Sequence, residues 1–403
     1  MFTLLIFIAV LAVLVLSHEW GHFFVARKNK IKVDEFGFGF PPRLVGVQRL
    51  LKKDSVGTVL YKKWKIVWGG KDPVYTEEEQ KYIPGTLYSI NIIPLGGFVK
   101  IKGENAADEG ASDPDSFASK KAWQKAAVLL AGVGMNVLVA MLLISIGFMV
   151  GLPQNVAGLK DVSGVRDRKL QILQILPQKP AEAAGLKVED EIIGVGQIQH
   201  PRFDEFQEYV NEHRAENIKI TVKRGNDIIT GDIKPIIYED TKKAGIGVGL
   251  AEFGTVSYPW YKALYQGFLA TFIYLKEIFV GFYTLLHSLF TGKGAGGAVS
   301  GPVGVAVMTG QVARMGFVYL LQFMALLSLN LAVLNVLPIP ALDGGRLLFV
   351  VIAKIMRRPV TPKVEQITHS VGFALLMLLV LLVTIKDIGG FKDVFIGAFK
   401  RIF

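Results

Sequence analysis

The chain alternates between long apolar runs and polar stretches patterned in a different way. Residues 4–24 are almost wholly apolar, about 31 Å of helix at 1.5 Å per residue, which suffices for one bilayer crossing. Comparable runs occupy residues 122–152, 317–337 and 368–385. Residues 259–290 are also apolar, but Lys276 and Glu277 interrupt them and aromatic side chains crowd them. That pattern suits a helix lying on the membrane or dipping into it.

The polar stretches read differently. Residues 26–121 are basic and rich in turn formers. Within them, residues 88–103 read as strand, turn and strand around Pro94-Leu95-Gly96-Gly97, a β-element able to pair with an extended peptide. Residues 50–85 read as a charged insertion, with Glu77, Glu78 and Glu79 as a solvated surface. Residues 156–238 carry strand alternation at 170–176, a turn and short helix closed by Gly185, a helix at 203–213 and a hairpin ending at Gly225-Asn226. These fit one small α/β domain. Residues 239–316 are read as an interfacial amphipathic region, and 387–403 as a short amphipathic tail.

Composition agrees with a membrane protein bearing sizeable polar portions: 51% of the 403 residues are hydrophobic and 20% charged, with a mean hydropathy of +0.40. The net charge of +11 raises nucleic-acid binding, but the positions of the charges give another explanation. Arg27, Lys28, Lys30 and Lys32 follow the first run; Lys120, Lys121 and Lys125 open the second; Lys354, Arg357 and Arg358 follow the third. Basic residues beside spans mark their cytoplasmic ends. The first span then runs inward, the second outward, the third inward and the last outward, with residues 156–238 outside and residues 259–290 not crossing. No basic leader or small-residue cleavage site precedes His18, so the first run reads as a retained span. The chain has no cysteine, which removes disulfides, thiolate ligands and a cysteine nucleophile.

Ser17-His18-Glu19-Trp20-Gly21-His22 closes the first run. Residues four apart share a helix face, so His18 and His22 can direct ring nitrogens at one metal ion, while Glu19 can act on a water. Ionisable groups at membrane depth are costly and point to function. A catalytic zinc takes three protein ligands. Asp343 is the candidate third, because Asn330, Asn335, Pro338, Pro340, Asp343, Gly344 and Gly345 break the third span at the depth of the histidines. The competing reading of Asp343-Gly344 is a helix-ending turn. Glu365 and His369 form a rival ligand pair that a solvated helix end also explains. With zinc so held, Glu19 is the general base, and Asn330 and Asn335 are donors for a substrate backbone. Asn136, at membrane depth in the second span, is either a helix–helix contact or part of the site.

The pairing of His18-Glu19-Trp20-Gly21-His22 with the later Asn335-Val336-Leu337-Pro338-Ile339-Pro340-Ala341-Leu342-Asp343-Gly344-Gly345 resembles the site-2 protease family of intramembrane zinc metalloproteases. Within it, the chain looks most like the bacterial regulator of sigma-E protease group. Pro94-Leu95-Gly96-Gly97-Phe98-Val99 resembles that group's membrane-reentrant β-loop, and residues 156–238 resemble a PDZ domain. The resemblance covers nearly the whole chain except residues 50–85. It implies a polytopic α-helical protein of the bacterial cytoplasmic membrane with four transmembrane helices (residues 1–25, 122–152, 317–345 and 366–386), a reentrant β-loop on the cytosolic side and one extracytoplasmic PDZ-like domain. It also implies Zn2+ on His18, His22 and Asp343, catalysis by Glu19, and substrate contacts from Asn330, Asn335, Gly96, Gly97, Phe98 and Val99. Its substrates would be single-span membrane proteins already shortened by another protease. Glu189-Asp190 stands where that group often has Gly-Asp, and the PDZ peptide groove is expected near residues 165–176. Two other classes compete: a membrane adaptor without catalysis, for which Glu19 and Asp343 have no use, and a zinc transporter or sensor, which would need polar groups along several spans.

Overall fold

A computed structural model describes residues 2–53, 59–71, 73–104, 110, 112–156, 164–214, 216–238, 242–292, 300–358 and 360–390. The tail expected at 387–403 therefore lies outside the described residues beyond Gly390. In chain order the elements are α1 (Phe2–Lys28), β1 (Val33–Lys53), β2 (Val59–Trp68), β3 (Ile83–Ile101), α2 (Ala122–Val150), β4 (Leu152–Asn155), β5 (Val165–Ile175), α3 (Pro180–Ala183), β6 (Glu191–Val195) and β7 (Ile198–Gln199). There follow α4 (Phe203–Glu212), β8 (Ile218–Arg224), β9 (Asp227–Ile233), β10 (Ile236–Ile237), β11 (Ala244–Gly245), β12 (Val248–Val256), α5 (Trp260–Phe290), α6 (Pro302–Met315), α7 (Phe317–Val336), α8 (Asp343–Met356) and α9 (Pro362–Gly390). They form two compact units, Met1–Ile144 with Gly267–Phe403, and Ser145–Gln266.

In the first unit, helices α1, α2, α5, α7 and α9 are long and apolar enough to cross a membrane. α5 meets that criterion by length and composition, so the four-span topology rests on the charge pattern. α1 and α2 cross where a Cβ on Gly21 would stand 2.3 Å from the Ala131 carbonyl oxygen. Small residues let membrane helices approach this closely. Farther along α2, Gly132 meets a neighbour, whereas Gly134 faces open space. α6 lies within the stretch read as an interfacial amphipathic region. The buried carboxylate of Asp387, on α9, accepts from the backbone N–H groups of Gly301 (2.9 Å) and Gly304 (2.7 Å). Those are N–H groups at a helix start that would otherwise lack partners.

The sheet of this unit has the order β2-β1-β3. Residues 88–103 do not form a self-paired hairpin. Phe36 is paired with both Tyr88 and Val99, and Gly37 with both Ser89 and Phe98, so the start of β1 is inserted between two segments of β3. Gly96, with φ +100°, turns the corner between them, a conformation that favours glycine. Residues 50–85 are built into the same sheet through β2. Glu79 is buried rather than solvated: Lys65 donates to it, and Lys63 lies 3.9 Å away. The Lys65 hydrogen bond holds the Glu79 carboxyl below its ordinary range.

The second unit is a seven-stranded sheet, ordered β4-β12-β5-β6-β8-β9 with β7 on β6. Its core includes Leu170, Ile172, Ile192, Phe206, Val210, Ile220 and Ile246. The expected boundary at residue 238 falls short. β12 pairs with β5 and β4, so residues 244–256 belong to this domain rather than to an interfacial stretch. Asp190 is fully buried. Arg224 grips both its oxygens at 2.7 Å, and the Lys187 N–H donates at 2.8 Å. Burial alone would push its carboxyl up, but these bonds hold it below the ordinary value.

Candidate metal centre

His18 and His22 lie on successive turns of α1 and are buried. The His22 Nδ1–H donates to the Val128 carbonyl on α2 at 2.8 Å. That bond fixes the tautomer and leaves Nε2 as a lone pair facing inward. The two Nε2 atoms are 3.1 Å apart. Asp343 Oδ2 stands 3.1 Å from His18 Nε2 and 3.3 Å from His22 Nε2.

Asp343 arrives there because α7 stops at Val336. Leu337 is extended, Ala341 has φ +78°, and α8 begins at Asp343. A Cβ on Gly344 would lie 2.1 Å from the Leu337 carbonyl oxygen, and one on Gly345 would lie 2.3 Å from that of Ile339. Only glycine permits this packing. On the opposite wall, a Cβ on Gly132 would sit 2.4 Å from His22 Nε2.

Three candidate ligand atoms thus converge, and among the described residues Asp343 Oδ2 is buried with no hydrogen-bond partner. Such an arrangement calls for a cation. Ligand atoms about 2.0–2.2 Å from a tetrahedral zinc stand roughly 3.3 Å from one another, so the residues present fit the ion.

The surroundings support the histidines. Asn136 is fully buried, its amide 3.3 Å from His18 Nδ1. With its oxygen turned to the ring, His18 Nδ1–H gains an acceptor, and Asn136 Oδ1, otherwise buried without a partner, gains a donor. The Asn136 backbone carbonyl accepts from Ser328 Oγ on α7 at 2.8 Å. The Asn136 side chain thus spans from α2 to His18 on α1.

Glu19 faces the β3 corner. The Val99 backbone N–H is the donor toward its carboxylate, and Gly97 packs on Leu16 and Glu19. Phe98 is half-buried opposite Gly37. The segment 96–99 thus runs beside the turn of α1 that carries Glu19. The two asparagines of α7 part company. The Asn335 amide lies 3.5 Å from His18 Nε2, whereas Asn330 is exposed and donates back to Leu326 of its own helix at 2.8 Å.

His369 is not gathered with the donors. Its Nδ1 accepts the Ala341 N–H at 2.9 Å, and Gly372, one turn on, packs against Pro340. α9 thereby braces the broken segment that carries Asp343. The sequence holds a faint signal for this, a histidine and a glycine three apart on one face, but not the identity of their distant partner. Arg346, on the first turn of α8, pairs with Glu104 beyond β3.

The chain was compared with known proteins. A model of peptidase family M50 matches residues 6–56 and 79–379. A candidate zinc metalloprotease of Clostridium perfringens (strain 13) is 33% identical over 376 residues, 93% of this chain and 95% of that protein. The regulator of sigma-W protease RasP of Bacillus subtilis (strain 168) is 30% identical over 438 residues, 96% of this chain and 98% of its own. Among solved structures, the PDZ domain of an SdrC-like protein from Listeria monocytogenes is 23% identical, covering 20% of this chain and 85% of that one with a TM-score of 0.19. With the two halves of the donor set both inside the matched segments, the chain belongs to peptidase family M50.

Proposed function

We propose that this zinc metalloprotease of the site-2 type hydrolyses peptide bonds within or near the membrane-spanning segments of membrane proteins, in the cytoplasmic membrane of a bacterium. The observation that carries this reading is the convergence of His18, His22 and Asp343 on one point inside apolar helices. Zn2+ bound there supplies Lewis-acid polarisation of a peptide carbonyl and activation of water.

The remaining work falls to the chain's own side chains. Glu19, beside the donors, takes a proton from the attacking water and returns it to the leaving amine. The Asn335 amide donates to the oxyanion as it develops, and Asn330 contacts the substrate farther along α7. Gly96, Gly97, Phe98 and Val99 hold an extended substrate against α1 by backbone pairing, since a helix must open before its peptide bonds can be reached. The donor set lies at the cytoplasmic side, and the second unit lies outside.

That outer unit is a PDZ-like domain acting as a filter against substrates with bulky outer parts, so the preferred substrates are single-span proteins already shortened by another protease. A cleft between α4 and the start of β12 supports a peptide-sized contact; Phe206, Val210, Gly245, Gly247 and Leu250 line it. Leu176, at the end of the stretch where the peptide groove is expected, lines it as well.

The test uses purified full-length protein in detergent and a single-span peptide with a short outer part. Wild type is expected to cut it, and Glu19→Gln to cut about 10²–10⁴-fold more slowly with its zinc content unchanged. Equal activity in both would remove Glu19 from the mechanism. No cutting by either, with zinc bound, would overturn the protease reading in favour of an adaptor.

A further inference from the structure

The family model leaves residues 57–78 unmatched, and the sheet gives that segment an unexpected surface. β2 pairs with β1 in the register Val45↔Trp68, Val47↔Ile66 and Arg49↔Trp64. β1 pairs in turn with β3 at Val45↔Ile90 and Val47↔Tyr88. Residues opposite one another in a ladder share a face, so Val47, Trp64, Ile66, Trp68, Tyr88 and Ile90 stand on one side of the sheet.

The other side is already closed. Leu50, Val67 and Leu87 are buried there, Tyr75 donates to Gln48, and Glu79 takes up Lys65. The first side is open: Trp64 is 61% exposed, Ile66 58% and Trp68 73%. An apolar patch of this breadth marks an interaction surface.

Its edge identifies the occupant. The Tyr88 ring lies 6.1 Å from Phe23 and 6.4 Å from Phe36, and Phe36 lies 5.9 Å from Trp20. Trp20 and Phe23 belong to the apolar run of α1, and Trp20 and Phe24 are exposed on its outer surface. Through these rings the open face of the sheet adjoins the exposed apolar side of α1. Tryptophan favours the boundary between headgroups and acyl chains. Arg49, its guanidinium 5.8 Å from the Trp64 ring centre, adds a positive charge of the kind that anionic headgroups attract.

We propose that β2 is a membrane anchor: Trp64, Ile66 and Trp68 insert into the interfacial layer of the bilayer and fix the depth of the whole sheet, including Gly96–Val99 beside Glu19. This goes beyond the protease reading and does not need it, because the test reads position rather than cleavage.

The chain has no cysteine, so an Ile66→Cys variant of the full-length protein carries a single nitroxide label. It is reconstituted in vesicles of phosphatidylethanolamine and phosphatidylglycerol. Electron spin relaxation should be enhanced more by oxygen than by a water-soluble nickel chelate, as for a label placed in lipid. A label relaxed mainly by the nickel chelate would overturn the anchor and leave the face to a protein partner. A second measurement uses natural tryptophans. The emission lost in a Trp64→Phe/Trp68→Phe double variant should be the part quenched by lipids brominated near the carbonyl end of the acyl chain. If that part is quenched by aqueous iodide instead, the proposal fails.

Discussion

Two aspartates divide the molecule between chemistry and architecture. Asp190, in the second unit, has Arg224 on both oxygens and a backbone N–H besides. Asp343, on the first turn of α8, faces two histidine nitrogens that have lone pairs to offer, and its Oδ2 lacks a hydrogen-bond partner. Both carboxylates lose water on folding. One is repaid within the protein by charge and hydrogen bonds, while the other is complete only with a cation. The difference separates a structural aspartate from a ligand more sharply than burial does.

Substitutions should expose that difference. Asp190→Asn is expected to destabilise the second unit by about 3 kcal/mol, the lower end for breaking a buried pair, because Arg224 retains some access to water. Urea unfolding followed by a probe in that unit checks it, and zinc content should not change. Acid acts on the same bond more gradually. The folded-state carboxyl of Asp190 is depressed, so its stabilisation is full above the unfolded value near pH 4 and declines as pH falls from there through the folded value. A pH series of the same unfolding curve shows the loss, and Asp190→Asn should flatten it.

On the other side of the comparison, Asn136→Ala removes the acceptor that holds His18. Zinc affinity should fall about 10–100-fold, as for other supports of metal histidines, measured by competition with a chelator while stability of the second unit stays constant. The smallest effect concerns Glu189, which has φ +75° next to Asp190. A side chain there is strained, and Glu189→Gly should stabilise the second unit by about 1 kcal/mol. That position is where the resemblance led one to expect glycine.

The donor set was legible because each half obeys a local rule. His18 and His22 need only helical spacing, and Asp343 needs only a helix broken at the right depth. The β-region was not legible in the same way. The residues that separate Ser89 from Phe98 are Phe36 and Gly37, some fifty positions away, and no alternation within residues 88–103 reveals that insertion. Glu79 looked solvated as one of three glutamates, yet Lys63 and Lys65 project from β2 to meet it. β12 was hidden because Gly245, Gly247 and Gly249 interrupt its alternation and the stretch was read with the interfacial region that follows, although the sheet uses it between β4 and β5. Asn330 and Asn335 looked equivalent in sequence, and only packing shows that one turns toward His18 while the other bonds its own helix.

The account turns on the ligand set, and metal content tests it most directly. Protein purified without added chelator should carry about one zinc per chain in the wild type and in Glu19→Gln, and close to none in Asp343→Ala. Zinc retained at the wild-type level in Asp343→Ala would contradict the account and move the third ligand elsewhere.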